Sequence, residues 1–195
     1  MRLRVLALAM LVGLTVGGCR EREVRAYRVP KEKVAATPLP PAGAAAPTGE
    51  ARTTALTWTP PDHWQTKPAG GFRRGSFTIP GADGAEADLS IIAFPGDAGG
   101  LVENLNRWRG QIGLAAETEA AVQASLEHID GAGGLHFDVV DYAGTANDAP
   151  TRILGAVVNF GGESWFFKMM GPEALVAAEK PAFLAFLHTV KPNQP

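Results

Sequence analysis

The sequence predicts an α+β fold in which an antiparallel β-sheet is sandwiched by helices. Apolar and polar residues alternate over two blocks, 72–93 and 126–170, and glycine-rich turns interrupt both blocks as in β-hairpins. An amphipathic helix separates the two blocks, and an apolar helical segment over 172–190 follows the second. Hairpins accompanied by helices that must each bury one face are typical of a layered α+β domain.

Residues 1–18 have the pattern of a bacterial signal peptide. Arg2 and Arg4 precede an apolar run over 5–16, which is too short for a standard membrane span. The run ends in Val-Gly-Gly-Cys, which resembles the lipobox of bacterial lipoproteins. We therefore expect Cys19, the single cysteine, to carry the lipid with palmitate-type acyl chains and to begin the mature chain.

Residues 19–54 are predicted to form a disordered tether. Their second part is almost wholly Ala, Pro, Gly and Thr, which offers too little apolar surface to offset the entropy of ordering. The Arg and Lys residues before it either attract anionic lipid headgroups or keep a stalk hydrated. Residues 55–195 then form a single α+β domain, and the net charge of −2 indicates no nucleic-acid partner.

The helix between the two blocks is the best-marked element. Its apolar stripe comprises Leu101, Leu105, Trp108 and Ile112. This spacing keeps the four side chains in one narrow sector that faces a core. Asp97 is expected to cap the start of the helix, and Gly113 is placed to end it.

The other elements follow from the same periodicities. Strands are predicted at 72–79, 87–93, 126–129, 135–142, 151–160 and 164–170, with a short helix at 117–124. In the first strand Arg73 alternates in phase with Phe77. In the terminal helix Pro172 suits the first turn, whereas Pro181 predicts a kink or break.

The domain also carries a recognisable set of residues. Trp58, Pro61, Trp64, Arg73 and Phe77 are followed by FPGDAGGLVENLNRWRGQIGL and then by WFFKMMGP with a terminal helix. This pattern resembles a group of uncharacterised lipoproteins from Planctomycetes and Verrucomicrobia, as do the lipidated cysteine and the stalk segment AYRVPKE. More distantly, the element order is similar to the PsbP/Mog1-like α/β/α sandwich, whose known members bind other proteins. The resemblance implies a binding role and supplies no activity.

Arginine and amide side chains beside indoles form the candidate binding site. It comprises Trp58, Trp64, Arg73, Asn104, Arg107, Arg109 and Gln111. A guanidinium offers a planar donor fork and stacks on rings, as polar or anionic recognition requires. The alternative is structural, with Arg107 paired to Glu103 and with Asn104 or Gln111 tying loop carbonyls to the helix.

The absence of recognisable catalytic motifs predicts a non-enzymatic module without a cofactor or a metal. The sequence has no G-x-S-x-G elbow, H-E-x-x-H pair, P-loop or C-x-x-C. We expect an accessory module for a membrane-associated protein assembly, anchored by lipid on the cell membrane or outer membrane and facing the periplasm. The alternatives are an enzyme or metal-binding protein using the His128, His136 and Asp138 face, and a small-ligand carrier.

Overall fold

The computed structural model describes residues 56–193. The predictions for the signal peptide over 1–18, for Cys19 and for the tether over 19–54 lie outside the described residues. Within 56–193 we find no helix with the length and apolarity needed to cross a bilayer.

Nine strands and three helices make up the described part of the chain. The strands β1 to β9 span Leu56–Thr57, Gln65–Thr66, Arg73–Pro80, Glu86–Pro95, Glu127–Asp130, His136–Ala146, Ala149–Phe160, Glu163–Pro172 and Lys191–Pro192. The helices α1 to α3 span Leu101–Gln111, Glu119–Ser125 and Glu173–Thr189.

Seven of the strands form one antiparallel sheet in the order β2-β3-β4-β8-β7-β6-β5. The helices lie on both of its faces, α3 on one and α1 with α2 on the other. The remaining strands, β1 and β9, form a separate antiparallel pair in which Leu56 lies opposite Pro192 and Thr57 opposite Lys191. The predicted α+β fold, with an antiparallel sheet between helices, is confirmed.

The face of the sheet against α3 holds the larger core. Its fully buried side chains include Leu89, Phe167, Phe183 and Phe186. The Phe186 ring meets the rings of Phe77 and Phe167 edge to face at centroid distances of 6.4 and 6.1 Å. Each such apolar side chain contributes about 1.5–3 kcal/mol when buried, so this layer holds the domain together.

Of the kink or break predicted at Pro181, the break does not occur, because helix α3 continues through this residue. Proline has no N–H to donate, which leaves the carbonyl of Ala177 without its helical partner. Both residues are exposed, so water can bond that carbonyl. A proline on the solvent side of an otherwise apolar helix therefore leaves the packing of α3 intact.

The opposite face is covered by α1 and α2 over part of its width. The buried side chains of this second core are Leu105, Trp108, Ile112, Val122, Val140, Tyr142, Ile153, Val157 and Phe166. Trp108 lies directly on β7 at Gly155, where an added Cβ would stand 2.1 Å from the indole ring. The absence of a side chain at Gly155 is what lets α1 approach the sheet this closely.

The two ends of α1 differ in how well they were predicted. Asp97 does not cap the helix; the N-cap residue is Gly100, with φ 87° and no side-chain hydrogen bond. At the other end Gly113 has φ 73°, and the N–H of Leu114 donates to the carbonyl of Arg109 at 3.0 Å. This is a Schellman motif, and the predicted role of Gly113 is confirmed.

Candidate functional site

We call the face of the sheet on which α1 lies the α1 face. In the described part of the chain, no helix covers the half of this face on the β3 and β4 side. Within 56–193 the second core takes no member from β3 or β4. The side chains on this half are mainly polar, and we call the area the open surface. It comprises Lys67, Phe72, Arg73, Asp88, Phe94 and Lys168, with the buried Ser76 and Ser90 on the same face and Arg107 and Gln111 on the adjoining flank of α1.

A β-bulge brings Arg73 onto the open surface. Arg73 and Gly75 pair with the consecutive residues Ile92 and Ile91, so β3 contains one extra residue at this point. The extra residue reverses the alternation, and Arg73 shares a face with Ser76 rather than with the apolar side chains of β3. Its Nη1 donates to Ser76 Oγ at 2.8 Å. The predicted in-phase alternation is therefore wrong at Arg73.

Asp88 holds two cations at the centre of the open surface. Its carboxylate accepts a hydrogen bond from Lys67 Nζ and forms an ion pair with Arg73 Nη2 at 3.1 Å. Partial burial alone would raise the pKa of Asp88, but the hydrogen bonds from Lys67 and Arg73 outweigh it and lower that pKa. Asp88 therefore stays ionised and fixes the positions of both basic groups.

Lys168 is the basic group of the sheet that contacts α1. It is half-buried on β8, and its Nζ donates to Gln111 Oε1 at 2.8 Å. Burial lowers the pKa of Lys168, and Arg73 adds to this effect while Asp88 opposes it. An anion that contacts this partly desolvated ammonium would stabilise its charged form strongly.

Two exposed phenylalanines border the polar area. Phe72 is 76% exposed and Phe94 is 37% exposed, and their ring centroids lie 5.8 Å apart. Phe94 also approaches Phe166 at 6.3 Å, and Phe166 meets Trp108 at 6.2 Å. A row of rings thus leads from the second core out to solvent beside the charged groups.

The polar flank of α1 contains one structural side chain and one exposed one. Asn104 is buried, and its Nδ2 donates to the carbonyls of Ala98 and Gly100 at 3.0 and 2.7 Å. Its Oδ1 accepts from Arg107 Nη1 at 2.8 Å, while Arg107 itself is exposed. Asn104 ties the entering loop to the helix, as the structural alternative predicted, and Arg107 bonds to Asn104 rather than pairing with Glu103.

Arg109 lies on the other side of α1, away from the open surface. Its Nε donates to the carbonyl of Ala115 at 2.9 Å, and its Nη2 pairs with Glu117 Oε1 at 2.8 Å. The guanidinium also lies 5.1 Å from the centroid of the Tyr142 ring. These contacts hold the α1–α2 loop, so Arg109 has a structural role.

The two predicted tryptophans lie on the opposite face of the sheet. Trp64 is buried beside Phe77 and Phe186, and its Nε1 donates to Glu179 Oε2 of α3 at 3.0 Å. Trp58 packs edge-on against Phe167 in the same core. The candidate site predicted from the sequence is therefore divided, and of its members Arg73, Arg107 and Gln111 lie on the open surface.

The histidines proposed as an alternative site form two separate pairs at the β5 edge. His128 Nδ1 lies 2.9 Å from Asp138 Oδ1, and His136 Nδ1 lies 2.6 Å from Asp130 Oδ1. Among residues 56–193 no three His, Cys, Asp or Glu side chains come together as a metal-binding set. The strand register places His128, His136 and Asp138 on one face of the β5–β6 pair, as two cross-strand pairs with Asp130 rather than as a metal-binding set of three.

Several residues of the open surface were not anticipated from the sequence. They are Lys67, Phe72, Asp88, Phe94 and Lys168. Lys168 carried a usable signal, because a lysine inside the apolar run WFFKMM marks one face of a strand as something other than core. The other four are ordinary strand or turn residues whose meeting depends on strand register.

Comparison with known proteins gives matches in structure alone. No protein-family model matches the chain, and no curated protein matches it. A protein from Bacteroides thetaiotaomicron superposes with a TM-score of 0.45 and 11% identity, covering 71% of this chain and 45% of that one. This chain therefore spans less than half the length of the Bacteroides protein.

Two further solved structures are similar at the same level. LpqN, involved in cell envelope biogenesis of Mycobacterium tuberculosis, has a TM-score of 0.42 and 13% identity over 70% of this chain and 83% of that one. Cyanobacterial PsbP (CyanoP) from Synechocystis has a TM-score of 0.42 and 15% identity over 76% and 98%. The predicted PsbP-like layout has this distant counterpart. All these TM-scores lie below one half, so nothing about function is taken from them.

Proposed function

We propose that the chain is a lipid-anchored, extracytoplasmic binding module that serves a membrane-associated protein assembly through its open surface, without catalysis. The observation that carries this proposal is the exposure of Phe72 and Phe94 beside a polar half of the sheet. Covering the two exposed rings with a partner removes their apolar surface from water, which favours binding. Aromatic and arginine side chains also contribute much of the binding energy at protein interfaces.

The chemistry of the open surface favours binding over catalysis. Ser76 Oγ accepts a hydrogen bond from the guanidinium of Arg73, which cannot act as a general base. Lys67 and Arg73 are both held by Asp88, and Lys168 bonds to Gln111. These groups are arranged as fixed donors for a partner rather than as a nucleophile with its activating base.

The anchor is proposed from the sequence around Cys19, which also carries the resemblance to the planctomycetal and verrucomicrobial lipoproteins. Cys19→Ala should leave an uncleaved precursor or a form released from the membrane, because no acyl chain can then be attached. Fractionation of cells and the mass of the mature protein measure both outcomes. Normal processing and membrane association of the variant would contradict lipidation.

The partner-binding role is tested by site-specific photo-crosslinking in native membranes. With p-benzoylphenylalanine in place of Phe94, irradiation should yield a discrete adduct with another protein. The matched control places the same amino acid at Ala185, an exposed position on α3. An absence of adducts at Phe94, or equal adducts at both positions, would contradict binding through the open surface.

A further inference from the structure

We propose that the open surface takes an extended acidic segment of a partner protein, in which a carboxylate binds Lys168 and an apolar side chain four residues away packs on Phe72 and Phe94. This inference rests on the proposed function and adds the chemistry of the partner. Three observations carry it: the distribution of charge, the setting of Lys168, and the position of the exposed rings.

Basic groups are concentrated on the open surface of a domain that is otherwise acidic. Residues 56–195 contain nine Lys and Arg against sixteen Asp and Glu. The open surface holds Lys67, Arg73, Arg107 and Lys168 against one carboxylate, Asp88. Exposed Glu103 precedes Arg107 by one turn of α1 and offsets part of this charge, so the four basic groups face two carboxylates in all. Such a local excess of positive charge complements an anionic partner and speeds its approach.

Lys168 is the group best placed to receive a carboxylate. Among the described residues its Nζ has one hydrogen-bond acceptor, Gln111 Oε1 at 2.8 Å, although an ammonium has three donors. The carboxylate whose charge acts on it, Asp88, already accepts from Lys67 and Arg73. A carboxylate brought by a partner would therefore make a charge-assisted hydrogen bond with a partly desolvated cation.

The position of Lys168 favours a polypeptide over a membrane surface. Its side chain is half-buried on the sheet, where its Nζ donates to Gln111 of α1. Lysines that attract lipid headgroups work from protruding, hydrated positions. An extended chain can instead lie along the strands, with one side chain on Lys168 and another on Phe94.

Residues 1–55 of the chain itself do not have the charge to fill this surface. Without residues 1–18, which are predicted to be cleaved, they contain seven Lys and Arg against four Asp and Glu. A segment with that excess of positive charge is repelled by the four basic groups of the open surface. The charge complementarity therefore favours a segment from another protein.

The test uses the detergent-solubilised full chain and a fluorescein-labelled peptide in which a glutamate lies four residues to either side of a phenylalanine. This spacing matches the four residues between Lys168 and Ser164, the cross-strand partner of Phe94. Fluorescence anisotropy should detect binding that weakens as salt is added. Lys168→Met and Phe94→Ser should each weaken binding about tenfold, because each removes one of the two contacts. Lys191→Met, an exposed lysine on β9, is the matched control and should bind as the wild type does.

Several outcomes would overturn the inference. One is equal binding of a peptide in which lysines replace the glutamates, and another is unchanged binding by Lys168→Met. If phosphatidylglycerol vesicles bind with the same dependence on Lys168 and Phe94 while the peptide does not, the occupant is a lipid surface. If Phe94→Ser abolishes a concentration-dependent dimer instead, the occupant is a second copy of the chain.

The experiment separates this inference from the proposed function. If position 94 crosslinks to a protein but the glutamate peptide does not bind, the open surface is still a protein-binding surface. The proposal that its partner is an acidic segment is then wrong. Circular dichroism melts of each variant verify folding beforehand. If Lys168→Met does not fold, Arg107→Gln provides a second exposed change, which should weaken peptide binding through the loss of one cation.

Discussion

The half of the α1 face that α1 covers and the half that it leaves open differ in the polarity of their side chains. Both halves belong to one sheet, and a single row of cross-strand partners runs through them. Ser90, Lys168, Gly155 and Val140 are successive cross-strand partners running from β4 to β6. In the covered half Trp108 lies on Gly155, and Val140 is buried. In the open half, Ser90 and Lys168 occupy the corresponding positions of the same row, and their side chains are polar. α1 docks where the strands offer Gly155 and apolar side chains, whereas the uncovered half carries polar side chains even at a buried position such as Ser90.

The largest expected effect is the loss of Trp108 from the covered half. Trp108→Ala should lower the free energy of unfolding by about 3–5 kcal/mol, because it leaves a cavity between α1 and β7. Phe72→Ala is the comparison in the open half, and it should change stability by less than about 0.5 kcal/mol because Phe72 is 76% exposed. Denaturant melts measure both. Equal losses would mean that the open half is packed like the covered half.

The next effect comes from adding a methyl group beneath Trp108. Gly155→Ala should destabilise by about 1–3 kcal/mol or more, because the new Cβ would stand 2.1 Å from the indole and α1 must move. Gly110→Ala is the matched control, since Gly110 is helical and a Cβ there meets open space. That change should raise stability by about 0.5–1 kcal/mol. A neutral Gly155→Ala would show that α1 shifts without cost.

A smaller effect separates Asn104 from Arg107 on the flank of α1. Asn104→Ala should cost about 1–3 kcal/mol, because the carbonyls of Ala98 and Gly100 lose their donor. Arg107→Ala should cost less than about 1 kcal/mol, because Arg107 is exposed. The two melts are compared under one condition. A larger loss for Arg107→Ala than for Asn104→Ala would make Arg107 structural and remove it from the open surface.

The smallest effect depends on pH and on Asp88. Because the folded-state pKa of Asp88 is lowered, its stabilisation is present above the ordinary carboxyl pKa and is lost as pH falls through the folded value. Asp88→Asn should therefore be less stable than the wild type at neutral pH, by less than about 1 kcal/mol because this ion pair is partly exposed. Melts at descending pH should bring the two proteins together. A gap that persists in acid would assign the loss to packing.

The sequence was sufficient to predict the helices and strands, but it predicted the candidate site less well. The stripe through Trp108 and the glycine that ends α1 follow from local spacing, and both agree with the structure. The face on which Arg73 lies depends on a bulge, and one inserted residue reverses a period of two. Trp64 was assigned to the candidate site because an indole suits a binding surface equally well, and only the docking of α3 shows that it is core.

The pairing of β1 with β9 has a consequence for the topology of the domain. Residues 56 and 57 are hydrogen-bonded neighbours of 192 and 191, so the two ends of the described chain meet. A short linker between them would close the backbone into a ring. The ring could then be opened at the exposed turn formed by Asn147 and Asp148, between β6 and β7, without removing a core side chain. Such a circular permutant should melt as cooperatively as the parent, and both ends of its chain would lie at the turn end of β6 and β7 instead of at the β1–β9 pair.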